Sequence, residues 1–307
     1  MRFVVCGEAL IDLLPGEERT SLESAWRALS GGGPMNTAVA LGKLGMEPHF
    51  LGRLSSDSFG RQLAEHIEKN GVSLDIAVDT DDPTSLAIVS LDDEGKAVYT
   101  FHFHETSNFN WRDAEFPELS ADDWLHFGSI AAVTDPGYSP MLRFIARTKA
   151  KISFDVNVRP TVIPDKNEYN EKVASFLRII GEHDGVAKAS DDDLLWLTNG
   201  ADPVETAAAW LKEFGLALFI VTLGADGVAA VVPDGSVVRV AGRKVEVADT
   251  VGAGDTFMAG FLSSYVANPD DLEGALERGI AAAALVCTRQ GAKPPTADEV
   301  DAFLALD

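Results

Sequence analysis

Residues 249–260 read DTVGAGDTFMAG, and further apolar residues follow them. The apolar run predicts a helix over residues 253–266, so Gly252 lies at the N-terminus of that helix. Unpaired N–H groups and the positive end of the helix dipole make such a terminus a site for anions, and glycine lets a phosphate approach the backbone closely. Asp255 stands at the edge of this anion site, where a second negative charge is unusual.

Phosphoryl transfer would give Asp255 a task, because that reaction uses a base that orients and deprotonates the attacking hydroxyl beside the phosphate. The alternative is that Asp255 only caps the helix, since acidic residues are favoured in the first turn. The segment is not a Walker A loop, since no Gly-Lys-Ser/Thr follows it. It is not a dinucleotide fingerprint either, since Phe257 stands in place of the third glycine. A Rossmann dehydrogenase is therefore disfavoured.

Short β-branched runs alternate with amphipathic helical patterns through most of the 307 residues. This alternation predicts βαβ units and an α/β fold with a mainly parallel, doubly wound sheet. The clearest strands are predicted at residues 2–6, 48–52, 124–127, 151–155 and 216–222. Helices are predicted at residues 34–44, 59–70, 140–148 and 272–287.

Two stretches interrupt the alternation. Residues 85–91 and 97–103 alternate apolar and polar side chains across a turn at residues 92–95, which predicts a β-hairpin. Residues 13–29 form a second insertion. Such hairpins often form lids over an active site, and a plain surface decoration is the alternative. We expect a main α/β domain of residues 1–12, 30–83 and 106–307, and a small β lid of residues 13–29 and 84–105.

The charge balance excludes some partners. Acidic residues outnumber Lys and Arg by 48 to 25, which gives a formal net charge of −23. Affinity for nucleic-acid backbones and for anionic membrane surfaces depends on Lys and Arg, so we expect neither partner. No run of about 18 apolar residues predicts a membrane span, and the N-terminus lacks the pattern of a signal peptide. A cytoplasmic protein is expected.

Two motifs together resemble those of the ribokinase-like carbohydrate kinases. The segment around Gly252 and Asp255 resembles the C-terminal signature of that family. Residues 31–45, GGGPMNTAVALGKLG, with FLGR at 50–53 and DSFG at 57–60 behind them, resemble its N-terminal signature. The order of the motifs, the hairpin and the length agree from end to end. The resemblance implies a ribokinase-like three-layer fold with a β-sheet lid, and a kinase that uses ATP.

The resemblance also assigns roles to matching residues. Asp255 would be the catalytic base, and the anion hole would consist of the amides of Gly252, Ala253, Gly254 and Asp255. Asp12 and Asn36 would hydrogen-bond sugar hydroxyls. A side chain in place of Gly32 or Gly33 would occupy the volume of the sugar ring. The alternatives are a turn aspartate at a strand end for Asp12 and an ordinary helix residue for Asn36.

For ATP, the resemblance implies contacts by Asn157, Lys188, Ser190, Thr222, Gly224, Gly227, Gly252 and Gly254. On its own, the turn at 222–227 would merely connect two strands. Mg²⁺ would be organised through water by Asp193, because Ser190 and Asp193 stand where the family usually has Asn and Glu. Which of the three aspartates at 191–193 does this stays open. A monovalent cation, K⁺, would lie between Asp249 with the Val251 carbonyl and the segment around Gly291.

Two segments of the sequence indicate which sugar is the substrate. Residues 155–160, DVNVRP, resemble the DxNxR stretch of fructokinases and 2-keto-3-deoxygluconate kinases. Arg159 would lie near the sugar or the phosphate, or would be a surface arginine paired with a carboxylate. The hairpin end offers the aromatic faces of Phe101 and Phe103 but no arginine, and Glu105 would repel an anionic sugar.

A neutral ketose fits this pattern best, so we expect phosphorylation of the terminal hydroxymethyl group of D-fructose, giving fructose 6-phosphate. The alternatives are a 2-keto-3-deoxygluconate kinase or a nucleoside kinase of the same family. A catalytically silent sugar-binding regulator is the alternative from another class. Lids of this family commonly pair between two subunits, which implies a homodimer.

Overall fold

The computed structural model describes residues 2–91 and 97–306. The strands within them are β1 Phe3–Cys6, β2 Leu10–Arg19, β3 Ser24–Gly31, β4 Pro48–Leu51, β5 Arg53–Ser55, β6 Val78–Thr80, β7 Leu86–Leu91, β8 Ala97–His102, β9 Trp124–Gly128, β10 Lys151–Asp155, β11 Val186–Ser190, β12 Leu218–Thr222, β13 Val228–Val231 and β14 Val237–Val240. The α-helices are α1 Gly33–Lys43, α2 Ser58–Lys69, α3 Ser129–Val133, α4 Tyr138–Arg147, α5 Lys166–Glu182, α6 Asp191–Thr198, α7 Pro203–Phe214, α8 Ala253–Tyr265, α9 Leu272–Cys287 and α10 Ala297–Leu304. Where the sequence predicted a helix or strand, its bounds agree with these to within two residues; the other elements, among them α5, α7 and β11, were not predicted.

The main sheet has the strand order β14-β13-β12-β11-β10-β9-β1-β4. Strands β4 to β12 in this order pair in parallel, and β13 and β14 add an antiparallel edge. The predicted mainly parallel α/β sheet is confirmed. Its carboxyl ends lie along one edge, which is where open parallel sheets place their binding crevices.

Helices cover both faces of the main sheet. In β1, Val4 and Cys6 belong to one apolar cluster, whereas Phe3 and Val5 belong to the other. Side chains alternate along a strand, so a strand that is buried on both faces is a continuous apolar run. Within the described residues no helix has the length and apolarity needed to cross a membrane.

The two predicted insertions come together in a separate four-stranded sheet with the order β3-β2-β7-β8. Strand β2 pairs antiparallel with β3 and parallel with β7, and β7 pairs antiparallel with β8. The predicted turn at residues 92–95 lies outside the described residues. The small sheet therefore joins the first insertion to the hairpin, the two segments that we expected to form one small β lid.

Buried polar side chains attach both ends of the β7–β8 hairpin to the main domain. The guanidinium of Arg53 is 1% exposed; it donates to Asp82 before the hairpin (2.7 Å) and to the Ser107 carbonyl after it (2.8 Å). The amide of Asn108 pairs with both backbone groups of Ala9, at 3.1 and 2.8 Å. The small sheet therefore has a fixed base beside the end of β1.

Candidate active site

A cleft of about 390 Å³ opens at the carboxyl edge of the main sheet, between that edge and the small sheet. It receives residues from the ends of β1, β10 and β11 and from the N-termini of α1 and α8. The predicted site residues that line it are Asp12, Gly32, Gly33, Asn36, Phe101, Asn157, Arg159, Lys188, Val251, Gly252, Ala253, Gly254 and Asp255. Residues scattered over 240 positions of the sequence thus meet around one cavity.

Asp255 lies in the first turn of α8 and is buried. One carboxylate oxygen, Oδ2, accepts a hydrogen bond from the Asn36 side chain at 2.9 Å. The other, Oδ1, lies at the wall of the cleft, 3.3 Å from the point where a Cβ on Gly33 would stand. The carboxylate is thus held on one side and free to accept a proton on the other.

The surroundings of Asp255 raise the pKa of its carboxyl to about 6. Burial is the largest cause; the hydrogen bond from Asn36 lowers the pKa, the charge of Asp155 raises it, and the charges of Lys188 and Arg159 lower it. At pH 7 the carboxylate is therefore still ionised, and its basicity is higher than that of an exposed aspartate. These are the properties of a general base near neutral pH.

The start of α8 carries positive potential. Gly252 precedes the helix with φ +77°, and a Cβ there would stand 2.8 Å from Cβ of Ala292, so the turn requires glycine. The Lys188 ammonium lies 3.0 Å from the Cβ position of Gly254. The N–H of Ala253 donates to the Thr250 carbonyl at 3.2 Å, which leaves those of Gly252, Gly254 and Asp255, together with this cation, to hold a phosphate.

Lys188 is itself buried and paired. Its Nζ donates to both oxygens of Asp155, at 2.9 and 3.1 Å. Burial would lower the pKa of the ammonium, but the charges of Asp155, Asp193 and Asp255 raise it overall. The side chain therefore stays protonated beside the anion site.

The glycine loop at residues 31–33 is needed for close packing. A Cβ on Gly31 would stand 2.4 Å from Oδ2 of Asp12, and one on Gly32, which has φ +117°, would stand 2.6 Å from the carbonyl oxygen of Glu8. Burial raises the pKa of the Asp12 carboxyl to about 6, against the lowering effect of the Arg159 charge. Because Gly31 has no side chain, the carboxyl of Asp12 has room at the wall of the cleft.

Replacing Gly33 by alanine is expected to damage the site without unfolding the protein. The new Cβ would stand 2.9 Å from Nδ2 of Asn157 and 3.3 Å from Oδ1 of Asp255, so both polar groups would have to shift. A shift of about 1 Å near reacting groups costs up to about 10²-fold in kcat/KM. Steady-state kinetics measure this change. Gly45→Ala is the control: its φ of +82° makes alanine strained there, but no atom lies within 4 Å of the Cβ position and Gly45 lies away from the cleft. Equal losses of kcat/KM in both variants would contradict the steric explanation.

The small sheet brings Phe101 and Tyr99 to the cleft, opposite Arg159. Phe103 does not line it, contrary to its predicted contact with the sugar. Its ring packs behind Phe101 and against Phe109, at 4.7 Å from each ring centre, because it follows the end of β8 and turns toward the core. Phe103 thus supports Phe101 and does not face the cavity.

Several residues predicted to contact ATP lie outside this cleft. Thr222 ends β12, while Gly224 and Gly227 form the connection to the antiparallel strand β13. Ser190 caps α6. Asp193 is buried, and its two oxygens accept the backbone N–H groups of Val158 (2.9 Å) and Ser190 (2.8 Å). In the described ranges this carboxylate is thus a helix cap that also fixes the loop after β10; its link to Mg²⁺ stays a prediction.

Asp249 joins the two segments predicted to hold a monovalent cation. Its Oδ1 accepts the Val251 N–H at 3.1 Å, and its Oδ2 accepts the Gly291 N–H at 2.9 Å. In the part of the chain that the structure describes, no Lys or Arg forms an ion pair with Asp249. Asp249 thus joins the two predicted segments, and the monovalent cation itself stays a prediction.

Glu8, Ser129 and Asp155 are among the polar residues of the site that the sequence interpretation missed. Glu8, at the end of β1, and Ser129, after β9, line the cleft, and Asp155 holds Lys188. Ser129 has φ +60° and Asn157 has φ +40°, values that are rare for residues other than glycine. Strained residues cluster at functional sites, but backbone strain leaves no mark in the sequence. The position of Glu8 directly after a buried strand was the one available signal.

Comparison with known proteins supports a kinase. A sequence model described as "pfkB family carbohydrate kinase" matches residues 2–299. A fructokinase of Rhizobium leguminosarum bv. trifolii is 37% identical over 263 residues, covering 84% of this chain and 78% of its own length. The fructokinase of Vibrio cholerae, solved with fructose, ADP and a calcium ion, superposes with a TM-score of 0.84 at 30% identity, covering 99% of this chain and 98% of its own. A double mutant of it was solved with fructose, ADP and a potassium ion.

Aminoimidazole riboside kinase from Salmonella enterica is structurally as similar. Solved with aminoimidazole riboside and an ATP analogue, it superposes with a TM-score of 0.85 at 26% identity, over 99% of this chain and 100% of its own. The fold, over nearly the whole chain, is therefore similar to those of two kinases named for different acceptors.

Proposed function

The chain belongs to the pfkB family of carbohydrate kinases, and on that premise we propose that it phosphorylates D-fructose with ATP to give fructose 6-phosphate. The observation that carries the proposal is the placement of Asp255. Its carboxylate is held by Asn36 on one side and faces the cleft on the other, beside the N–H groups of Gly252 and Gly254 at the start of α8. A carboxylate that can act as a base beside an anion site supports phosphoryl transfer to a sugar in a chain of this family.

In the proposed reaction, the oxygen of the terminal hydroxyl forms the new bond to the γ-phosphorus of ATP. The bond from that phosphorus to the β–γ bridging oxygen breaks, and ADP leaves with the electron pair. The proton of the hydroxyl passes to Asp255. The amides of Gly252, Gly254 and Asp255 and the Lys188 ammonium stabilise the charge on the transferring group.

The cleft supports a neutral acceptor. The acidic groups around it are Glu8, Asp12 and Asp255, while the cations are Arg159 and Lys188. Lys188 is already paired with Asp155, so Arg159 is the one cation among the described residues of the cleft with no ion-pair partner. A sugar phosphate or a sugar acid would need more positive charge. The Phe101 and Tyr99 rings provide apolar faces that suit a sugar ring.

The same aromatic faces could stack on an imidazole ring, which keeps a riboside as the second candidate. A coupled assay of ADP release with fructose, ribose, aminoimidazole riboside, 2-keto-3-deoxygluconate and fructose 6-phosphate separates the candidates. We expect kcat/KM for fructose to exceed the others by at least about tenfold, or ~1.4 kcal/mol of transition-state discrimination. A higher value for another acceptor would contradict the proposal, as would sugar binding without ADP release. NMR of the product identifies the phosphorylated carbon.

The nucleotide is proposed to extend from the start of α8 toward the connection at residues 222–227, with Ser190 and Asn157 nearby. Mg²⁺ fits this cleft as an ion that enters with ATP, because no group of three acidic, His or Cys side chains in the described ranges could form a resident site. When bound, Mg²⁺ neutralises charge on the phosphates. Asp193 acts on it at most through water, since both oxygens accept backbone N–H groups.

K⁺ is proposed to bind beside Asp249 with carbonyls that include that of Val251. Replacing Asp249 by asparagine is expected to raise the K⁺ concentration that gives half-maximal activity, because the amide lacks the negative charge. Titration of activity with KCl at constant ionic strength measures the effect. Asp298→Asn, at the exposed start of α10, is the control. Equal activity of the wild type in Na⁺-free buffers with and without K⁺ would rule out a requirement.

The four-stranded sheet is proposed to act as the lid and as the contact between two subunits. On β3, Trp26 is a large apolar residue that is 44% exposed, although most such residues are buried in folded chains. Trp26→Glu is expected to shift the mass measured by light scattering from dimer to monomer. A wild-type protein that is monomeric at micromolar concentration would contradict the subunit contact.

A further inference from the structure

Glu8 is a buried carboxylate at the floor of the cleft. It is 1% exposed and lies directly after β1. Its Oε1 accepts the Gly33 N–H at 3.3 Å, its Oε2 accepts the Ala131 N–H at 3.1 Å, and the Ser129 hydroxyl also hydrogen-bonds to it. No Lys or Arg in the described ranges forms an ion pair with it. A carboxylate buried without a cation is costly, so hydrogen bonds alone hold Glu8 there.

The donors to Glu8 come from two segments that meet beside the proposed base. Gly33 starts α1, whereas Ser129 and Ala131 follow β9 through the strained turn at Gly128 and Ser129. A Cβ on Gly33 would stand 3.3 Å from Oδ1 of Asp255 and 3.4 Å from Cβ of Ser129. Both segments therefore form the wall against which an acceptor hydroxyl would be placed.

We propose that Glu8 is a positioning residue, whose ionised carboxylate ties the Gly33 segment to the Ser129–Ala131 segment and so sets the place of the sugar relative to Asp255. This inference rests on the proposed function, because it assumes that the sugar occupies this part of the cleft. Glu8 acts through the two amides, and its own oxygens are already used by them.

The protonation state of Glu8 decides how many amides it can hold. A carboxylate accepts both N–H groups, whereas a protonated carboxyl turns one oxygen into a donor and loses one of them. Burial raises the pKa of Glu8 to about 7; its hydrogen bonds with Ser129 and the backbone lower it, and the charge of Asp255 raises it. The other ionisable groups around it are Cys6 on β1, Tyr169 on α5, and Asp12, Arg159 and Lys188 in the cleft.

The test compares the wild type with Glu8→Gln. The glutamine has nearly the same shape but presents an N–H₂ group to one of the two amides, so one segment is released. We expect KM for fructose to rise by about tenfold or more, within the range of up to about 10²-fold for misplaced reactants, while KM for ATP stays nearly constant. We also expect the acid limb of kcat/KM for fructose, near pH 7 in the wild type, to move down toward pH 6, where Asp255 titrates.

Asp123→Asn is the matched control. Asp123 is also a buried carboxylate that accepts backbone N–H groups, from Arg2 and Ser120; unlike Glu8 it also pairs with the Arg2 guanidinium at 3.4 Å, and it lies away from the cleft. It should change stability without changing the ratio of the two KM values. A Glu8→Gln enzyme with the wild-type KM for fructose and the wild-type acid limb would overturn the inference.

A measurement on the wild type covers the case in which Glu8→Gln does not fold. Isothermal titration calorimetry of fructose without ATP, from pH 5.5 to 8.5, should show affinity falling as the pH drops through about 7. Affinity independent of pH in that range would also overturn the inference. Failure of the proposed function gives a different result, because the wild-type enzyme would then prefer another acceptor to fructose. In that case, wild type and Glu8→Gln are compared with that acceptor.

Discussion

Replacing Asp255 by asparagine is expected to lower kcat by about 10²- to 10⁴-fold, the usual contribution of a positioned base. Asparagine keeps the shape and the contact with Asn36 but cannot take the proton of the acceptor hydroxyl. KM for both substrates should change little, because the loss concerns the transition state. Steady-state and single-turnover rates measure the effect.

The control for this variant is Asp298→Asn. Asp298 also lies in the first turn of a helix, α10, but is exposed and away from the cleft. If Asp255 only caps α8, both variants will keep most of their activity. Retention of more than about a tenth of wild-type kcat by Asp255→Asn would remove it from the role of base.

The main sheet was predictable because its strands are buried on both faces. Continuous apolar runs such as residues 218–222 are unambiguous when helices with caps and glycines separate them. The antiparallel edge of β13 and β14 was not predicted, since the turn at residues 222–227 has the same composition in either sheet topology. The pairing of β2 with β7 joins segments about 75 residues apart, and no local pattern encodes it.

Most of the predicted site residues that belong to the sequence motifs line the cleft. Each of these motifs lies where a strand ends or a helix starts, at the same edge of the main sheet. Asp255, Asn36 and Asp12 are examples. Phe103 does not line the cleft, contrary to the prediction. Side chains alternate between the two faces only within a strand, and β8 ends at His102, so the pattern does not fix the direction of Phe103. Glu8 and Asp155 were missed because their partners are distant in sequence: Ala131 for the first and Lys188 for the second.

Breaking the ion pair between Asp155 and Lys188 is expected to give the largest loss of stability. The side chains are 6% and 4% exposed and are joined at 2.9 Å. Replacing Lys188 by methionine leaves a buried carboxylate without its cation, which costs about 3–5 kcal/mol in the free energy of unfolding. Urea denaturation measures this value. The double variant Asp155→Leu/Lys188→Met should recover much of it, because a well-packed apolar pair carries no uncompensated charge.

Asp155 and Lys188 also shift the pKa of Asp255 in opposite directions. The charge of Lys188 lowers the pKa of Asp255 and that of Asp155 raises it, so Lys188→Met should move the acid limb of kcat above its wild-type position near pH 6, and Asp155→Asn should move it below. Both single variants lose stability, so a shift in the same direction in both would point to general loosening of the site. Arg143→Met, which breaks the exposed pair with Asp113, is the control. It should change neither the free energy of unfolding nor the acid limb of kcat measurably. Shifts of opposite direction would establish that the buried pair sets the basicity of the group that receives the proton.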